Sequence, residues 1–153
     1  MFEVRTATGS IVGADGGQGP ALVFLHGGPG LSDYADLLAP ELAGWRVLRY
    51  QQRGLPPSTV DGPFTVEQNV ADAVAVLDAR GVHQAVVVGH SWGVHLAAQM
   101  IMLRAKAART KSGKLDILTG SACKFGPKPS SLVVVASADM VISWSDGRVA
   151  VWR

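Results

Sequence analysis

Ala85-Val86-Val87-Val88-Gly89-His90-Ser91-Trp92-Gly93-Val94 decides how this chain is read. Ala85 to Val88 is a short, unbroken run of small and β-branched apolar residues, the pattern of a strand buried on both faces. Val94 to Ala108, with Leu96, Met100 and Leu103 at helical spacing, predicts a helix. Between them stands Gly-His-Ser-Trp-Gly, a G-x-S-x-G pentapeptide at a strand-to-helix turn. So sharp a turn holds the serine hydroxyl clear of the backbone, and the flanking glycines remove Cβ atoms that would collide there. Ser91 is the candidate nucleophile.

Working outward, Ala21-Leu22-Val23-Phe24-Leu25 is a second strand-like run, and it ends in His26-Gly27-Gly28-Pro29-Gly30. A serine attacking an acyl carbonyl needs N–H donors aimed at the developing oxyanion, and the amides of a glycine loop supply them. Pro29 has no N–H and serves the loop's shape instead. The candidate oxyanion donors are the amides of Gly28 and of Trp92, the residue after the serine.

His26-Gly27-Gly28-Pro29-Gly30, then Arg49-Tyr50-Gln51-Gln52-Arg53-Gly54, then the serine pentapeptide resemble the α/β-hydrolase fold. Within it, the chain is most similar to proline iminopeptidase-like serine hydrolases, over residues 1–100. The resemblance implies acyl transfer to water through an acyl-serine intermediate, on a small peptide, amide or ester, without cofactor or metal. It puts His26 and Gly27 in the substrate-binding loop, with His26 holding that loop. The chain departs from the subfamily in three places. Gln51 stands for the usual acid, Leu55-Pro56-Pro57-Ser58 follows Gly54, and Val94 replaces a second glycine.

The elements between the motifs set the fold class. Phe2 to Thr8 and Ser10 to Ala14 predict a hairpin turning at Gly9. Tyr34 to Leu42 predicts a short helix, Trp45 to Tyr50 a strand, and Pro56-Pro57 with Asp61-Gly62-Pro63 a loop. Thr65 to Arg80 is the clearest helix. Thr65 and Gln68 fit a capping box, Val66, Val70, Val74 and Leu77 share one face, and Gly81 closes the end. Strands alternating with helices predict an α/β fold on a mostly parallel sheet. Residues 1–108 are read as the N-terminal half of that fold. Residues 109–153 are read as an atypical basic tail, with a strand over Leu132–Ala136 and a hairpin of Val141–Trp144 and Val149–Trp152 around Asp146-Gly147.

Charge marks the same boundary. Residues 1–100 carry five Arg and no Lys against nine acids, whereas residues 101–153 carry nine basic residues against three acids. The basic charges are scattered and lack the aromatic interleaving of a nucleic-acid groove, so no nucleic-acid partner is expected. One cysteine, Cys123, allows no internal disulfide and no metal cluster. The start of the chain resembles no signal peptide and no apolar run reaches the length of a membrane span, so a cytoplasmic protein without a membrane partner is expected.

A serine hydroxyl is a weak nucleophile until a base takes its proton. In this fold the acid and the histidine follow the serine in that order. After Ser91 the acids are Asp116, Asp139 and Asp146, and the only histidine is His95, in the first turn of the elbow helix. His90 should point away from the hydroxyl, and His83 lies in the turn before the elbow strand. No residue matches the base or the acid. The chain is therefore expected to be truncated or diverged after residue 108 and nearly inactive. The competing expectation is a non-catalytic module that binds a ligand or partner through the retained fold. Self-association through an exposed sheet edge is expected in either case.

Overall fold

The computed structural model describes residues 1–36, 42–83, 85–100, 102, 117–119, 131–136, 140–145 and 148–152. β1 (Phe2–Thr6) and β2 (Gly9–Gly16) form the opening hairpin, with Thr6 opposite Gly9. The turn is therefore Ala7-Thr8, just before the expected Gly9. β3 (Ala21–Leu25), β4 (Arg46–Tyr50) and β5 (Val86–Gly89) follow, and β3 pairs in parallel with both of the others. Parallel pairing needs a crossover, and α1 (Val66–Ala79) supplies it between β4 and β5.

β3 shows how an uninterrupted apolar run makes a central strand. Leu22 and Phe24 pack on one face of the sheet with Ala35 and Val86. Val23 and Leu25 pack on the other with Leu48, Tyr50, Val70, Val76, Leu96 and Met100. Both faces are dry, so neither can carry a polar residue. The α/β class and mostly parallel central sheet expected from the sequence are present.

α1 begins and ends as its residues direct. Thr65 Oγ1 accepts the Gln68 N–H at 3.2 Å, and Gly81 takes a φ of 64° just past the last turn. The reciprocal half of the capping box is a correction: the Gln68 amide turns forward to Asp72 Oδ1 at 2.9 Å. Asp72 recruits it because it is buried and ion-paired. Arg53 Nε and Nη2 donate to its two oxygens at 2.6 and 2.8 Å, and Nη2 also reaches Thr8 Oγ1 at 3.0 Å. One guanidinium thus ties the β1–β2 turn, the loop after β4 and the middle of α1 together.

The elbow helix, α2, is described over 92–100, with Leu96, Ala97 and Met100 buried. Leu103 and the rest of the span expected to 108 lie outside the described residues, apart from Met102. Of the helix expected over Tyr34–Leu42, residues 35 and 36 form a 3₁₀ turn, while 37–41 lie outside the described residues. β6 (Ile117–Thr119), β7 (Ser131–Ala136), β8 (Met140–Ser145) and β9 (Arg148–Trp152) complete the sheet in the order β1-β2-β4-β3-β5-β7-β8-β9-β6. β7 lies parallel to β5, with Val87 opposite Val134. β8 and β9 are the expected hairpin, Ser145 facing Arg148, while Asp146 and Gly147 lie outside the described residues. β6, parallel to β9, was not expected from the sequence.

Candidate active site

The elbow is built by steric necessity. β5 ends at Gly89, and Ser91 then takes a φ of 53°, the one positive φ among the described non-glycine residues. The turn is closed by Gly93 N–H to His90 O at 2.8 Å and Val94 N–H to Ser91 O at 3.0 Å. His90 N–H donates to Leu25 O at 3.1 Å, which anchors the elbow to the end of β3. The two glycines are obligatory here. A Cβ on Gly93 would lie 1.9 Å from Leu25 O, and one on Gly89 would lie 2.5 Å from Gly93 O. With those positions bare, Ser91 sits exposed at the apex, as the pentapeptide predicts.

The glycine loop abuts this apex. A Cβ on Gly27 would fall 3.1 Å from His90 Nδ1 and 2.7 Å from Tyr34 Oη. The Gly27 N–H donates to Tyr34 Oη at 2.6 Å, so that amide is spoken for. The Gly27 carbonyl is held as well, by His26 Nδ1 at 2.7 Å. That carbonyl and the Gly28 N–H belong to one planar trans peptide, so fixing the oxygen on one side aims the Gly28 N–H to the opposite side. On the elbow, Gly93 and Val94 spend their amides inside the turn, while Trp92 opens α2, where a first-turn amide has no partner within the helix. The amides of Gly28 and Trp92 thus differ from their neighbours in what they are free to bind.

His26 is 1 % exposed and is a fixed neutral imidazole. Nδ1 donates to Gly27 O, and Nε2 accepts the Gln52 N–H at 3.0 Å. Burial, the largest influence, holds its pKa below the ordinary histidine value. Its side chain shapes the loop. Gln52 extends the same frame: its Nε2 donates to His26 O at 2.8 Å and its Oε1 accepts Trp92 Nε1–H at 3.0 Å. One glutamine therefore braces the glycine loop against the residue after the serine.

Gln51, where the resemblance leads one to expect an acid, uses both halves of its amide. Oε1 accepts the Asp33 N–H at 2.9 Å, and Nε2 donates to Leu31 O at 3.0 Å and Gln52 O at 3.1 Å. A carboxylate could only accept. Asp33 in turn binds Arg49 Nη1 at 2.6 Å. Sequence reading marked Gln51 only as a departure from the family, and it assigned no role in building the site to Tyr34, Gln51 or Gln52. The two glutamines at least sit in a quoted motif, whereas nothing in the sequence marks Tyr34.

No imidazole hydrogen-bonds Ser91 Oγ among the described residues. His90 turns to Tyr34, its Nδ1 2.5 Å from the phenol oxygen. His95 is exposed on α2 with its ring centroid 6.5 Å from that of Trp92, and His83 is exposed before β5. Asp116, Asp139 and Asp146 lie outside the described residues. Among the described residues no group of three or more His, Cys, Asp or Glu is placed to hold a metal ion, and no helix is long and apolar enough to cross a membrane.

The sequence pattern of the alpha/beta hydrolase fold matches residues 20–109, from β3 through the elbow. The chain belongs to the alpha/beta hydrolase fold family. Epoxide hydrolase B of Mycobacterium tuberculosis is 42% identical over 86 residues, 52% of this chain and 24% of that protein. Proline iminopeptidase of Heyndrickxia coagulans is 30% identical over 119 residues, 74% of this chain and 38% of that one. The crystal structure of a proline iminopeptidase-related protein from Thermus thermophilus superposes with a TM-score of 0.61 at 31% identity, over 77% of this chain and 43% of that one. The chain spans 24–43% of the length of these three relatives. The proline iminopeptidase resemblance holds, and epoxide hydrolases stand beside it as relatives that sequence reading did not name.

Proposed function

We propose that this alpha/beta hydrolase chain carries the nucleophile and oxyanion hole of an acyl-transferring serine hydrolase of proline iminopeptidase type, acting on a small peptide, amide or ester. Ser91 is the nucleophile, the Gly28 and Trp92 amides receive the oxyanion, and His26 and Gly27 form the floor of the substrate-binding loop. The observation that carries this reading is the serine at φ 53° on the elbow, abutting the braced glycine loop. Chemistry separates it from the epoxide-opening alternative. A serine that opened an epoxide would be left as an alkyl ether, which water does not cleave. A serine that attacks an acyl group is left as an ester, which water does.

Residues 1–153 by themselves should turn over slowly, because no histidine follows His95. Losing the base of a serine triad costs on the order of 10⁶ in turnover, and a residual of roughly 10³–10⁴ over water survives from the oxyanion hole and binding. A cytoplasmic setting, no cofactor and no nucleic-acid partner belong to the same reading. A non-catalytic binding module is the second reading, favoured by the absence of an imidazole on Ser91 Oγ among the described residues. A fluorophosphonate probe separates the two. Labelling of folded protein at Ser91, lost in Ser91→Ala, supports the nucleophile; no labelling supports the module. Fast ester turnover abolished by Ser91→Ala would overturn the slow-turnover expectation, and His95→Ala would then test that histidine as the base.

A further inference from the structure

Tyr34 stands between the glycine loop and the elbow and belongs to neither motif. Its ring meets Phe24, His26 and His90 edge-on, with centroids 6.1, 6.2 and 5.7 Å away. Its hydroxyl accepts the Gly27 N–H at 2.6 Å and lies 2.5 Å from His90 Nδ1. A phenol has one proton to give, and with Gly27 as its donor that proton is available to a neutral His90. His90 is the residue before the serine, and its own N–H is tied to Leu25 O.

We propose that Tyr34 is a positioning residue that couples the glycine loop to the elbow and so sets the Gly28 amide relative to Ser91. The inference rests on the acyl-transfer reading above. Gly27 is held at both ends of its residue, its N–H by Tyr34 and its C=O by His26. A glycine free at either end has the widest choice of φ and ψ of any residue, and the next amide swings with it. Removing the hydroxyl leaves the ring's packing in place but frees one end. The Gly28 N–H then samples orientations that miss the oxyanion.

The test uses the full chain with Tyr34→Phe, His90→Ala and His90→Asn, followed by two readouts. The first is the Gly27 amide proton resonance, which reports the hydrogen bond to Tyr34. The second is the rate at which a fluorophosphonate labels Ser91. Tyr34→Phe and His90→Ala should shift the Gly27 resonance and slow labelling roughly two- to tenfold, the worth of one hydrogen bond. His90→Asn, whose Oδ1 takes the place of Nδ1 as acceptor, should restore both. An unmoved Gly27 resonance in Tyr34→Phe overturns the coupling. So does an unchanged labelling rate in that variant while the parent chain labels, and the acyl-transfer reading then stands. If the parent chain does not label, the acyl-transfer reading falls, and the Gly27 resonance alone decides the coupling.

Discussion

Ser91 holds a backbone conformation that costs an L-residue about 1–2 kcal/mol. The strain is the cost of lifting a hydroxyl off the end of a sheet. Ser91→Gly should therefore stabilise the fold by about 1 kcal/mol in urea unfolding while abolishing labelling. Ser91→Ala should abolish labelling without that gain. Gly93 sits at the opposite extreme, with no room for a methyl against the Leu25 carbonyl. Gly93→Ala must push the elbow off β3, and a loss of about 3 kcal/mol is expected in the same experiment. A loss below about 1 kcal/mol would mean that the elbow adjusts at little cost.

His26 gives the residue scale its pH dependence. Its folded pKa lies below its ordinary 6.5 because burial disfavours the imidazolium. The unfolded chain then binds the proton more readily than the folded one. The stability this contributes is present in full above pH 6.5 and is lost as pH falls through the folded value. Urea midpoints should therefore drop as pH is lowered below 6.5, and the His26 ring resonances should stay neutral in folded protein where a free histidine is protonated. A His26 that titrates at its ordinary value would remove this account.

At the scale of elements, α1 was the most legible part of the sequence, because each of its signals is local. Thr65 caps it, the apolar stripe faces β1 and β3–β5, and Gly81 ends it. Thr65→Ala should cost about 1 kcal/mol. The Arg53–Asp72 pair is different in kind, since it joins three separate segments across long sequence distances. Asp72→Ala leaves a buried guanidinium without its carboxylate and should cost about 3–5 kcal/mol, several times the cap. Paired urea titrations of the two variants give the ratio directly. A smaller loss for Asp72→Ala than for Thr65→Ala would show that water reaches Arg53.

At the scale of the whole molecule, the sheet continues past β5 through β7 to β9 and β6. All four residues of β5 pair with β7, Val86 to Gly89 against Val133 to Ala136, so deleting residues 109–153 would bare the edge of a strand that is apolar on both faces. Such an edge invites pairing with another chain. Residues 1–108 alone should self-associate in sedimentation or size-exclusion experiments more strongly than residues 1–153. A monomeric, cooperatively folding 1–108 would show that β7 adds nothing to the fold.

Local patterns decided much of this protein. Apolar runs named β3 and β5, turn chemistry named the elbow, and capping named α1, because each depends on residues within a turn or two of chain. The placement of Ser91 followed from two glycines and a serine. Other features depended on atoms brought together from afar. Tyr34 meets His90 only because β3 and β5 are neighbours in the sheet, and Gln52 meets Trp92 because β4 and β5, whose ends they follow, flank β3 in parallel. Gln68 abandons the reciprocal half of its cap because Asp72 is buried and needs donors. β6 was invisible because three residues carry too little periodicity to be read without the strand beside them. Sequence settles what each stretch prefers; which polar groups satisfy one another is settled only when folding excludes water and leaves them no other partner.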